Sequence, residues 1–119
     1  MPVAGKSLYK TKTALIDVSE STTVSTAVDT DGLLLAGIRF PAAITSSTIT
    51  FQVSSTNSSG AFKNLVETDG TDVSYTVSAG NVVRVDPSGW AFASPGFLRV
   101  TSGSSEAADR TINLIFKQS

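Results

Sequence analysis

The chain has 119 residues and a formal net charge of −1, enough length for one domain with one buried core. It contains neither cysteine nor histidine, which excludes disulfides, thiolate or imidazole metal sites and any Ser-His-Asp triad. With 9 basic residues against 10 acidic ones, bulk electrostatic capture of nucleic acid is not expected either.

Residues 1–12, "MPVAGKSLYKTK", hold Lys6, Lys10, Lys12 and Tyr9 and no acid. They lack the apolar run of a secretory signal. A frayed terminus is the ordinary reading of such a segment. The sharper one is an extended N-terminal arm, separate from a domain over 13–119, that docks on an acidic protein surface. "GKS" at 5–7 has neither the upstream glycine spacing nor the preceding strand of a phosphate loop, and is a chance match.

From residue 13 onward, short runs rich in β-branched residues alternate apolar and polar positions, the mark of strands buried on one face. "TALIDV" (13–18) and "TVSTAV" (23–28) come first, and Asp31-Gly32 then supplies a turn that needs left-handed backbone. "LLLAGIRF" (33–40) is more continuously apolar and reads as a central strand covered on both faces.

In "TITFQVSS" (48–55), Ile49, Phe51 and Val53 should point inward while Thr50, Gln52 and Ser54 face out. The serine-rich "SSTNSSG" that follows reads as a hairpin end whose side chains satisfy nearby backbone groups. "AFKNLVE" (61–67) and "DVSYTV" (72–77) flank an Asp69-Gly70 turn, and Ala79-Gly80-Asn81 reverses the chain into "NVVRVD" (81–86).

Asp86-Pro87-Ser88-Gly89 must break any strand, because proline fixes φ and lacks a donor. "SGWAFASPG" (88–96) is the longest non-alternating apolar stretch and reads as a loop or short helical turn. Its Trp90 and Phe92 either plug one end of the fold or form an interface anchor or sugar-stacking platform. "FLRVTS" (97–102) and "DRTINLIFK" (109–117) close the series. Nine such runs at close spacing predict an all-β, single-domain antiparallel sandwich, jelly-roll-like.

Without histidine or cysteine, carboxylates are the remaining catalytic candidates. Glu67, Asp69 and Asp72 cluster in "ETDGTD", and Asp29 and Asp31 in "DTDG". Neither segment matches the twelve-residue calcium loop, and hairpin turns by themselves account for Asp and Gly at such places. No catalytic residue, metal site or cofactor is therefore expected. Arg39, Arg84, Arg99 and Arg110 each fall in or beside a strand, where they can pair with carboxylates of the same or another chain.

The C-terminal two-thirds of the chain resembles a family of small virion proteins of tailed bacteriophages. "PAAITSSTITFQVS" matches a P-A-x-x-T-x-x-x-I-T-F-Q-V-S strand, followed by a glycine-bearing hairpin and an F-x-x-L strand. A V-x-V-D-P turn, an F-L-R-V-x-S-G strand and a closing A-D-R-x-I-x-L strand complete the likeness. Pro41, Phe51, Gln52, Phe62, Leu65, Asp86, Pro87, Leu98, Arg99, Ser102, Gly103, Asp109 and Arg110 stand at those positions.

The resemblance implies a β-sandwich component of the virion, a head decoration or cement protein or else a head–tail or tail accessory protein, with no catalytic residues. It implies a protein made in the host bacterial cytoplasm and carried on the particle. Its expected partners are the major capsid protein or other virion proteins, and it would be homo-oligomeric or present in many copies, with no nucleic acid and no membrane. The interface expected from the residues is the arm (Lys6, Tyr9, Lys10, Lys12) together with Trp90 and Phe92. The competing reading is a tail or head-fibre module that binds cell-surface glycan through Trp90, Phe92 and the polar loops.

Overall fold

The structure, a computed structural model, describes residues 9–20, 23–87, 89–90 and 96–118. Among the described residues, nine strands form two antiparallel sheets: β1 (Tyr9–Ile16), β2 (Val28–Asp29), β3 (Leu34–Arg39), β4 (Thr48–Ser54), β5 (Lys63–Asn64), β6 (Ser74–Thr76), β7 (Val82–Arg84), β8 (Phe97–Ser102) and β9 (Arg110–Lys117). The first sheet runs β1-β9-β3-β7; the second runs β2-β8-β4-β5, with β6 also paired to β4.

The pairing is nested. First strand pairs with last, second with second-to-last, third with β7, and β4 with both β5 and β6. This is a long antiparallel ribbon rolled so that successive strands switch sheets except at β4, β5 and β6, which share the second, and that is the jelly-roll arrangement. The expected sandwich is therefore the observed one.

Alternation fills the space between the sheets. Ala14 and Ile16 on β1, Leu35 and Ile38 on β3, and Ile112, Leu114 and Phe116 on β9 face Val28, Ile49, Phe51, Leu98 and Val100 of the second sheet, all buried. Val53, Val73, Tyr75 and Val77 pack half-buried against this core. Each fully buried side chain of this size contributes roughly 1.5–3 kcal/mol of transfer free energy, so this cluster is the main stabilising feature.

β3 departs from expectation in an instructive way. It is interior to its sheet, between β9 and β7, but its outer face is open and carries exposed Arg39. The apolar run arises because the register shifts between Leu35 and Gly37, leaving Ala36 as a bulge. A bulge resets the two-residue period, so Leu35 and Ile38 both point inward although three apart.

The turns follow their sequence chemistry. Asp31 (φ 55°) and Gly32 (φ 73°) both adopt left-handed backbone, which a short polar side chain and a glycine tolerate. The serine-rich segment ends in a 3-10 turn at Ser59–Ala61. There Ser54 Oγ donates to the Thr56 carbonyl at 2.6 Å and accepts from Thr56 N–H at 3.1 Å. It is a hairpin end stabilised locally.

Candidate functional site

The expected interface residues go to unlike places. Lys6 and Phe92 lie outside the described residues. Tyr9, Lys10 and Lys12 are not an arm: they form the first half of β1, in register with Lys117, Phe116 and Leu114 of β9. That register puts Lys10 and Lys12 on the inward parity and Tyr9 on the outward one.

Lys12 is spent internally. Its side chain is 15% exposed, and Nζ donates to the Asp29 carbonyl at 2.6 Å and to Asp31 Oδ2 at 2.7 Å. Lys10 Nζ stands 3.8 Å from the same carboxylate but remains largely exposed. The hydrogen bond and charge of Lys12, aided by Lys10, hold the Asp31 carboxyl below its ordinary range. With Thr26 N–H donating to the Leu15 carbonyl and Thr26 Oγ1 accepting from Leu15 N–H, these contacts seam β1 to β2 and close one long edge of the sandwich.

Trp90 belongs to the core. It is 4% exposed and meets Phe51 edge-on, with centroids 4.9 Å apart; Tyr75 meets Phe51 similarly at 5.7 Å. At the edge opposite the β1–β2 seam, the two sheets splay into a cleft of about 400 Å³. Leu65, Val73, Tyr75 and Trp90 line it, with Glu67 and Asp86 among its polar groups.

The carboxylates are dispersed by the same folding. Glu67 and Asp72 flank a hairpin tip in which Asp69 accepts from Thr71 N–H (3.0 Å) and Thr71 Oγ1 (2.7 Å), bonds that lower its pKa. Asp17 is lowered likewise, first by the Ser19 hydroxyl and then by Ser19 N–H. Among the described residues no group of three or more acids could hold a metal ion, and no helix is long and apolar enough to cross a membrane.

Many of the polar residues that carry the family resemblance act in structural contacts. Arg99 lies with Cζ 4.0 Å above the Phe62 ring and donates from Nη2 to Gln52 Oε1 at 2.5 Å; Gln52 Nε2 donates on to Asn64 Oδ1 at 3.1 Å. Phe62 thus covers the outer face of the second sheet rather than joining the main core. Asp109 Oδ1 accepts from Val18 N–H at 2.9 Å.

Ser102 and Arg110 converge on Glu106, which sequence reasoning missed. Its carboxylate accepts from Thr45 N–H (2.7 Å), Ser46 N–H (2.9 Å), Ser102 Oγ (2.7 Å) and Arg110 Nε (2.9 Å). Burial opposes its ionisation, yet these bonds outweigh burial and bring the pKa down to about 2. Nothing local marks a glutamate in a polar loop for this role, because the two backbone donors, Thr45 and Ser46, lie some sixty residues away.

The unspent charge is elsewhere. On the outer face of the first sheet, Thr13, Asn113, Arg39 and Val82 stand in register across four strands. The next row is Thr11, Ile115, Gly37 and Arg84, and the third Tyr9, Lys117 and Leu34. Among the described residues, these three rows carry three cations and no acid, with Tyr9 and Val82 prominently exposed. Alternation around the β3 bulge is what assembles it, and only the strand register could have revealed it.

No protein-family model and no curated protein matches the chain.

Proposed function

We propose that the chain is a non-enzymatic structural protein of a bacteriophage virion, of the head decoration or cement kind. It works by association with the major capsid protein or other virion proteins. The observation that carries this reading is a well-packed jelly roll whose motif-bearing polar residues make internal contacts. Among the described residues, much of the charge outside ion pairs lies on an open sheet face and a hairpin tip, surfaces suited to contact rather than chemistry. The resemblance of the C-terminal two-thirds to small virion proteins supports the same conclusion. Contacts of modest strength, repeated over many copies, lower the free energy of an assembled shell.

The test is electron microscopy of intact particles, with and without this protein. Regular density on the head, lost when the protein is missing, is expected; particles that never contain it would refute the reading. An arm contribution is tested by deleting residues 2–8, since residues 9–16 supply β1. A glycan-binding tail module is the second reading. The cleft between Tyr75, Trp90, Glu67 and Asp86 favours it. Saturable sugar binding abolished by Tyr75→Ala would establish it.

A further inference from the structure

Exposed apolar side chains and unpaired charge coincide at two places on this molecule. The large hydrophobic residues left exposed among the described ones are Tyr9 (57%), Val82 (47%) and Val66 (46%). Tyr9 and Val82 lie on the outer face of the first sheet, with Arg39, Arg84 and Lys117. Val66 lies at the β5–β6 hairpin tip, where it is bridged to Asp72. Glu67, Asp69 and Asp72 are all exposed there. None of these six charged residues forms an ion pair with a described residue.

The tip is well defined. Glu67 N–H donates to the Thr71 carbonyl at 2.6 Å and Gly70 N–H to the Glu67 carbonyl at 2.9 Å, with Gly70 at φ 89°. Its charges are therefore presented on a fixed turn. The sheet face is equally fixed, because each of its strands is held in register by a neighbour.

We propose that this chain self-associates through unlike charge, the acidic 66–72 hairpin tip of one copy docking on the cationic β1-β9-β3-β7 face of another. Each half of the contact has what the other lacks: cations around Val82 and Tyr9, carboxylates beside Val66. Opposite potentials that meet in this way select orientation and register as well as affinity. A nucleic acid fits the face less well, because its three cations are spaced among Ile115, Val82 and Tyr9 and the chain as a whole is net negative. The contact is between copies of the chain, and it stands or falls separately from the virion reading.

A face only four strands wide places the contact at the small end of specific interfaces, so the association is weak and salt-sensitive. Sedimentation velocity over a concentration series of the full chain reads it directly. In low salt the mass should rise with concentration, and about 0.5 M salt should suppress the rise. The pair Arg39→Glu with Arg84→Glu should weaken association at least roughly tenfold, as should Glu67→Lys with Asp72→Lys. An equimolar mixture of the two double variants should associate again, since the reversed charges complement each other. That recovery also shows that both are folded. Should either fail to fold, Arg39→Gln with Arg84→Gln and Glu67→Gln with Asp72→Gln serve instead, each weakening association. A chain monomeric at every concentration, association indifferent to these changes, or a mixture of folded reversed variants that stays monomeric would overturn the proposal.

Discussion

Replacing Glu106 by glutamine removes one charge while keeping nearly the same shape, and it should destabilise the fold severely. The side chain is fully buried, and four donors converge on its two oxygens. Its pKa is brought from the ordinary 4.5 down to about 2, a difference corresponding to ~3 kcal/mol at neutral pH. Glutamine would also turn an N–H₂ group toward donors on one side, leaving buried N–H groups without an acceptor. The expected loss is about 2–4 kcal/mol, or a fall of roughly 10–15 °C in Tm for a domain of this size.

The sign of the pH effect follows from the depressed pKa. The contribution of Glu106 is complete above the ordinary carboxylate range and is lost as pH falls from about 4.5 through about 2. Urea denaturation of both proteins at pH 7 and at lower pH therefore reads the gap directly. It should be wide at pH 7 and narrow progressively below pH ~4.5. A gap under about 1 kcal/mol at pH 7, or one that does not change with pH, would refute this account of the clasp.

Two further predictions concern the residues first assigned to an interface. Lys12→Ala should lower the thermal midpoint measurably whereas Lys10→Ala should leave it nearly unchanged, because Lys12 seams β1 to the Asp29–Asp31 turn and Lys10 is largely solvated. Trp90, the single tryptophan, should emit at short wavelength and resist acrylamide quenching, and Trp90→Ala should cost about 3–5 kcal/mol by chemical denaturation. A red-shifted, freely quenched emission would contradict its place beside Phe51.

Much of the fold was legible because strand formation is local. Ile49-Phe51, Leu98-Val100 and Ile112-Leu114-Phe116 announce their buried faces by two-residue alternation, and these positions are buried. Asp31-Gly32 announces its turn by the backbone it tolerates. The bulge at Ala36 was not legible, since "LLLAGIRF" looks the same whether a strand is covered on both faces or shifts parity midway. The basic N-terminal segment misled for a related reason. Lys10 and Lys12 read as a free cationic arm until the register with β9 turned them inward to Asp31.

The sequence by itself determined that this is a β protein, which residues of its regularly alternating strands face the core, where the chain turns, and that histidine and cysteine chemistry are absent. Those properties depend on residue type and on neighbours a few positions away. Only the tertiary structure decided how charge is spent. Glu106 finds Thr45, Ser46, Ser102 and Arg110, Lys12 finds Asp31, and Arg99 finds Phe62 and Gln52, while Arg39, Arg84 and Lys117 are left together on an open face. Electrostatic roles are set by distance in space, and rolling the chain into two sheets brings together residues that sequence spacing keeps far apart.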